Sequence, residues 1–282
     1  MPPNIIFRLH LLEQGGMIRK QTETREFARI QRELDSVGST NSEAFILADS
    51  GAPEGAAVVA RAQTAGRGRM GRLWISNPGR GLFASVVYRP EMSPADAGFI
   101  PLAAGLAAVK AVRSAAHLEA LLKWPNDVVI SGKKVAGILS ESRPAPDGRA
   151  VVVVGIGVNL NYPPESWPAE LKDKAASLAD FGANLNPRGM LRAFLDSLDA
   201  EYRRLQKGGR IEQIKEISAM SATIGQEVTV NTSAGAVSGF AERIEESGAL
   251  VLRTADGKTR VITAGDVELV SAPPEDNRRS SE

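Results

Sequence analysis

Residues 63–74 read QTAGRGRMGRLW and set three arginines, Arg67, Arg69 and Arg72, between Gly66, Gly68 and Gly71. Arginine offers a planar fork of donors that matches phosphate or carboxylate. Glycine lets backbone approach a ligand closely and leaves the loop mobile. An anionic ligand would order such a loop, because its guanidinium groups repel one another. The glycines satisfy G-x-G-x-x-G, yet residues 72–76 run toward a Pro78-Gly79 turn and not into a helix. A dinucleotide fingerprint needs that helix and an acid at the end of a second strand. The protein-kinase strings and the Gly-Lys-Ser/Thr phosphate loop are missing as well. A solvated basic loop and a nucleic-acid-binding loop are the other readings, although Trp74 is the only aromatic platform beside it.

A second cluster is Lys123-Trp124-Pro125-Asn126-Asp127, followed by Lys133, Lys134 and the apolar run 135–139 up to Glu141. Asn and Asp after Pro favour a turn, the plain reading of Asn126 and Asp127. A half-buried Lys123 beside Trp124 calls for an anionic partner. Lys134 lies within an otherwise apolar strand, where a solvent-facing position is the bland alternative. A third string, Gly155-Ile156-Gly157-Val158-Asn159, puts glycines where a ligand could lie against a strand. Together the three strings supply positive charge, amide groups and glycine clearance.

The elements that would position them follow from pattern. Residues 33–37 read as a strand, and Ser39, Thr40 and Asn41 open a helix ending near 49–51, with Thr40 and Glu43 spaced as a capping box. Residues 56–62, 82–88 and 151–159 read as strands, 121–124 and 128–130 as extended, and Ser131-Gly132 as a hairpin turn into 134–142. Ser93 to Asp96 has the cap, proline and acid of a helix start, leading an alanine-rich helix to about 116. Asn186-Pro187 begins an amphipathic helix that stops at Lys207-Gly208-Gly209. After Ser221, strands at 227–231, 237–244, 249–254 and 260–263 alternate with glycine turns, the spacing of a small antiparallel barrel. The divisions expected are an N-terminal extension at 1–27, a catalytic unit at 28–220, a small β domain at 221–272 and a disordered tail at 273–282.

Composition narrows the chemistry. The 282 residues contain no cysteine, which excludes a disulfide framework, a thiolate zinc site and a cysteine nucleophile. Two histidines exclude a three-histidine metal site, so no protein metal site is expected. With 34 Lys plus Arg against 33 Asp plus Glu, net charge exerts no pull toward nucleic acid or membrane. No apolar run reaches membrane-spanning length, and the start is a poor signal peptide, so a soluble cytoplasmic protein is expected.

These strings, in this order, resemble the biotin–protein ligases: S-T-N at 39–41, Q-x-x-G-R-G-R-x-G-R-x-W at 63–74, K-W-P-N-D at 123–127, K-x-A-G-I-L-x-E at 134–141 and G-I-G-x-N at 155–159. The resemblance covers about 28–270 and implies an α/β (α+β) fold: a mixed-sheet catalytic domain, with motifs on one face and helices on the other, and an SH3-like C-terminal β-barrel. It implies joining of biotin to ATP as biotinyl-5′-adenylate, with Mg²⁺ as activating ion, then transfer to a lysine of a biotin carboxyl carrier domain.

By this resemblance Ser39, Thr40 and Asn41 meet the ureido head of biotin, while Gln63, Arg67, Gly68 and Arg69 close over biotin and the adenylate. Lys134 meets the biotin carboxylate and the bridging phosphate. Arg72, Asn126 and Asn159 lie near the nucleotide, and Trp74 and Lys123 help wall the site. Arg69 and Lys134 are the catalytic cations, and Asp127 would orient Lys123 or help deprotonate the acceptor lysine. A lipoate–protein ligase is the nearest enzymatic alternative. Family dimers form by sheet–sheet pairing, and the sequence leaves monomer or homodimer open.

Family members that repress transcription carry an N-terminal winged helix-turn-helix. The short segment before the first strand lacks its helical periods, so no DNA binding is expected. A DNA fragment shifted by the chain at low salt, with the shift lost steeply as salt rises, would contradict this.

Overall fold

The computed structural model describes residues 31–92, 97–145 and 150–269. The extension at 1–27, the helix start at 93–96 and the tail at 273–282 lie outside the described residues.

A seven-stranded sheet organises the first part. Its strands are β1 (Gln31–Leu34), β2 (Ala57–Ala60), β3 (Gly81–Tyr88), β4 (Leu121–Lys123), β5 (Asp127–Ile130), β6 (Lys133–Pro144) and β7 (Ala150–Asn159), in the order β1-β2-β3-β7-β6-β5-β4. β1 and β2 are parallel and every other pair is antiparallel, so the sheet is mixed. β3 and most of β7 are buried on both faces, as their largely apolar composition requires.

One face is covered by helices α2 (Ile100–Ala116), α3 (Pro187–Gln206) and α4 (Arg210–Ala219). α2 is alanine-rich, and small side chains let helix and sheet approach closely. Gly105 lies against Leu122 of β4, where a Cβ would meet Leu122 Cδ1 at 2.8 Å. α3 is capped by Asn186, whose side chain accepts from Gly189 N at 2.7 Å. Its buried stripe includes Leu191, Phe194, Leu195, Leu198, Tyr202 and Leu205.

The opposite face carries α1 (Thr40–Asp49), whose Ala44, Leu47 and Ala48 pack on Val58, Val87, Val151 and Val153. The expected division, motifs on one face and helices on the other, therefore needs correcting. α1 shares the motif face because its own first turn carries Ser39 to Asn41. The capping box is corrected too. Ser39 occupies the N-cap with no side-chain cap bond, Thr40 is the first helical residue, and Glu43 reaches Arg32 at 3.3 Å.

The C-terminal part is a five-stranded antiparallel sheet: β8 (Glu227–Thr232), β9 (Gly235–Ile244), β10 (Leu250–Arg253), β11 (Thr259–Ile262) and β12 (Asp266–Leu269), ordered β11-β10-β9-β8-β12. The sequence pattern found four of these strands; β12 and helix α4 were missed. The two parts share one continuous apolar core. Val228, Val230, Leu250 and Val267 belong to the same cluster as Leu122, Trp124, Ile138 and Phe194. Trp124 turns toward this junction, its Nε1 donating to Gly248 O at 3.0 Å and its backbone N to Thr223 Oγ1 at 3.0 Å.

The helix layer encloses one acid. Glu201 is buried on α3 and accepts from Lys110 Nζ of α2 at 2.6 Å and from Gln213 Nε2 of α4 at 2.8 Å. Lys110 also pairs with Glu216, and Arg204 joins Glu216 at 2.6 Å. Lys110→Ala leaves Glu201 with Gln213 and, at 3.7 Å, Arg204, so the loss should be about 1–3 kcal/mol. Urea unfolding of the variant against the parent chain measures this.

Candidate functional site

The site starts from a run of glycines on the α1 face of the sheet, over which other side chains lie close to the backbone. Gly137 on β6 pairs with Gly157 on β7, and Gly155 lies two residues from Gly157 on the same face. Each is needed for clearance. A Cβ at Gly155 would collide with the Asn41 side chain, and one at Gly157 with the Trp74 indole. A Cβ at Gly137 would sit 2.9 Å from Lys134 Cε and 3.0 Å from Trp74 Cζ3. The strip is thus a backbone floor without side chains of its own, on which Asn41, Trp74 and Lys134 lie.

At the α1 end, Ser39, Thr40 and Asn41 are all buried. Gln63 Oε1 accepts from Thr40 N at 2.8 Å and lies 3.1 Å from Thr40 Oγ1. Ser85 of β3 donates to Asn41 Oδ1 at 2.6 Å and lies 2.8 Å from Thr40 Oγ1. The Asn41 amide nitrogen is held by Glu141 Oε2 at 2.7 Å and Leu139 O at 3.2 Å. With both amide protons and the oxygen engaged, Asn41 is fixed as a wall of the site. Thr40 serves the same network and caps no helix.

Residues 66–74 form a small hairpin. Gly68 N donates to Arg72 O at 2.7 Å and Trp74 N to Gly66 O at 2.9 Å. Met70 and Gly71 make the tip with φ of 56° and 73°, the left-handed region that glycine tolerates best. Each guanidinium in the loop has a partner within the fold. Arg67 reaches Ser42 Oγ at 3.0 Å and Glu141 at 3.2 Å. Arg69 donates to Asn126 Oδ1 at 3.1 Å and Gly265 O at 3.2 Å. Arg72 donates to Asp266 at 2.7 Å. Burial lowers the Arg69 pKa from its ordinary value, while Asp266 and Asp127 oppose that change.

Trp74 folds from the end of the hairpin onto the glycine strip. Lys134 Nζ lies 5.2 Å from the centre of its ring and 2.6 Å from Asp127 Oδ1. Lys134 is therefore no solvent-facing charge. Its strand is clamped from outside by residues 174–176, through Lys134 N to Lys174 O at 2.8 Å and Ala176 N to Lys134 O at 3.0 Å. Asp127 serves as counter-ion to Lys134. Lys123 is half-buried nearby, and burial pulls its pKa below the usual lysine range, with Asp127 opposing. The Trp74 Nε1 is buried with no hydrogen-bond partner among the described residues, a donor that a ligand oxygen can use.

The structure thus gathers Ser39, Thr40, Asn41, Gln63, Arg67, Gly68, Trp74 and Lys134 around the strip, with Arg69, Arg72, Lys123 and Asn126 at its far end. Asn159 stands apart from them. It is buried, and its amide nitrogen donates to Ala176 O at 3.0 Å and lies 3.4 Å from Lys134 O, so it braces the strand that carries Lys134. Lys133 is peripheral, 3.4 Å from Lys172 O. Sequence reasoning missed three residues. Ser85 was legible as the one serine in a wholly buried, mostly apolar strand. Glu141 stood in a quoted string without a role, and Asp266 gave no signal.

The glycine floor makes a direct prediction. Gly155→Ala should displace Asn41 and lower stability by about 1–3 kcal/mol. Thermal melts of the variant against the parent chain check this.

Comparison with known proteins agrees with this geometry. Residues 35–161 match the biotin/lipoate A/B protein ligase family, and residues 223–270 match the biotin protein ligase C terminal domain. The chain is 37% identical over 238 residues to the bifunctional ligase/repressor BirA of Bacillus subtilis, covering 83% of this chain and 72% of that one. It is 36% identical over 242 residues to the biotin–[acetyl-CoA-carboxylase] ligase of Paracoccus denitrificans, covering 83% and 98%. Among solved structures, the biotin protein ligase from Aquifex aeolicus in complex with biotin and ATP superposes with a TM-score of 0.73 at 29% identity, over 86% of this chain and 99% of that one. With the residue strings, the mixed sheet and the C-terminal β domain all in agreement, the chain belongs to the biotin protein ligases of the biotin/lipoate A/B protein ligase family.

Proposed function

We propose that this protein activates biotin with ATP and transfers it to one lysine of a biotin carboxyl carrier domain. The carrying observation is Lys134, paired with Asp127 at 2.6 Å and lying beside the Trp74 ring over the glycine strip, with Arg69 on the neighbouring Asn126. Such a strip admits a flat, weakly polar ring system, and the cations await its acidic end. A biotin carboxylate oxygen attacks the α-phosphorus of ATP; the bond to the bridging oxygen breaks, and pyrophosphate leaves. The neutral acceptor amine then attacks the acyl carbon, the acyl C–O bond breaks, AMP departs and the nitrogen gives up one proton to water. Both reactants of the first step are anions, so the barrier falls when fixed cations face the charge that develops.

In this reading Lys134 contacts the carboxylate and the bridging phosphate region, and Arg69 leaves Asn126 or Gly265 to meet phosphate. Ser39, Thr40 and Gln63 bind the ureido head, with Asn41 holding their geometry. Arg67 and Gly68 close the pocket, while Trp74 covers the strip and offers its indole N–H. Arg72, Lys123 and Asn126 face the nucleotide, and Asn159 acts through the Lys134 strand. Asp127 holds Lys134 in place until the substrate carboxylate replaces it. Closure also keeps water from the acyl-adenylate.

Magnesium would enter as the counter-ion of the triphosphate. Among the described residues no three acidic or histidine side chains converge to hold it independently. The assigned extents are 28–220 for the catalytic unit and 221–272 for the SH3-like domain. A cytoplasmic location fits a reaction that consumes ATP, and no helix among the described residues is long and apolar enough to cross a membrane.

Lys134→Ala should reduce biotin-dependent ATP–pyrophosphate exchange by about a hundredfold or more, with the fold intact by circular dichroism. Exchange driven by lipoate and not by biotin would overturn the choice of acid. Mass spectrometry of a carrier domain incubated with the protein, ATP, Mg²⁺ and biotin tests the transfer.

A further inference from the structure

The loop's three arginines have different kinds of partner. Arg69 is held by the neutral oxygens of Asn126 and Gly265, with Asp266 at 4.0 Å. Arg67 instead meets a carboxylate that holds the pocket wall as well. Glu141 lies 3.2 Å and 3.4 Å from Arg67 Nη2 through its two oxygens, and its Oε2 accepts from Asn41 Nδ2 at 2.7 Å. The other limb of the guanidinium donates to Ser42 Oγ on α1 at 3.0 Å. One side chain of β6 thereby fastens the near limb of the hairpin to the first turn of α1, across the biotin end of the strip.

We infer that Glu141 is a positioning residue that clasps Arg67 and Asn41, so that the hairpin stays shut over the vitamin while Arg69 remains free to turn to phosphate. Arg67 is tied to Glu141 and to Ser42 of α1 at the far side of the hairpin from Asn126, so its part is to close the pocket. Glu141 is about a third exposed, and its ion pair is therefore worth little to global stability. Its effect is local, on the opening of one hairpin.

Glu141→Gln removes the charge and keeps an acceptor for Asn41, and trypsin reads the result because the hairpin carries three arginines. In the full chain without ligand, cleavage after Arg67, Arg69 and Arg72 should run about fivefold faster than in the parent, with cleavage after Arg260 on the exposed strand β11 unchanged. In the ligase assay, KM for biotin should rise by about the same factor while KM for ATP stays within about twofold. Parent-like cleavage of the hairpin overturns the clasp. So does faster cleavage at Arg260 as well, which marks general loosening, or an equal rise in both KM values. The kinetic arm rests on the proposed reaction, whereas the proteolytic arm uses neither substrate, so failure of one reading is separable from failure of the other.

Discussion

Like charges set the central constraint. Arg67, Arg69 and Arg72 lie within one short hairpin, and Lys123 and Lys134 approach it from the sheet. Unpartnered, these cations would force the hairpin open, since at a few ångströms their repulsion in a half-buried setting amounts to several kcal/mol. The fold answers with separate partners for four of them: Glu141 for Arg67, Gly265 and Asn126 for Arg69, Asp266 for Arg72 and Asp127 for Lys134. Those partners come from β6, β5, the turn before β12 and β12 itself. Much of the topology can be read as the means of bringing them to one place.

The second requirement is room. A flat ligand against a sheet needs strands without side chains on that face, and a glycine in a strand interior normally weakens it. Here the weakening is offset by position. β6 and β7 are central in the sheet, so Gly137, Gly155 and Gly157 keep full ladders on both sides. The opposite face of the same strands carries Ile138, Val154, Ile156 and Val158 into the main core. Strand alternation thus makes one face a packing surface and the other a floor.

Much of this was legible in the sequence, for identifiable reasons. Strands β3 and β7 and helix α3 announce themselves by unbroken apolar runs or helical spacing, and the glycine–arginine hairpin by composition. Strand β12 and helix α4 were harder. β12 is short and half exposed, and α4 buries only Gln213 and Ile217 fully, so neither has a strong period. Local pattern also misread Thr40. The spacing to Glu43 fits a cap, but Gln63 and Ser85, distant in sequence, claim the hydroxyl. Glu141 and Asp266 were invisible as site residues because their roles depend on partners 74 and 194 positions away. Such long-range ion pairs leave no local trace.

The C-terminal sheet reaches the hairpin through Gly265 and Asp266, and reaches the floor of the fold through Trp124, which is hydrogen-bonded to both Thr223 and Gly248. It also shares its apolar interior with the helix layer. A small rotation of that sheet would therefore tug on the guanidinium groups at the mouth of the cleft. The terminal segment acts less as an appended module than as the hinge post on which a gate is hung.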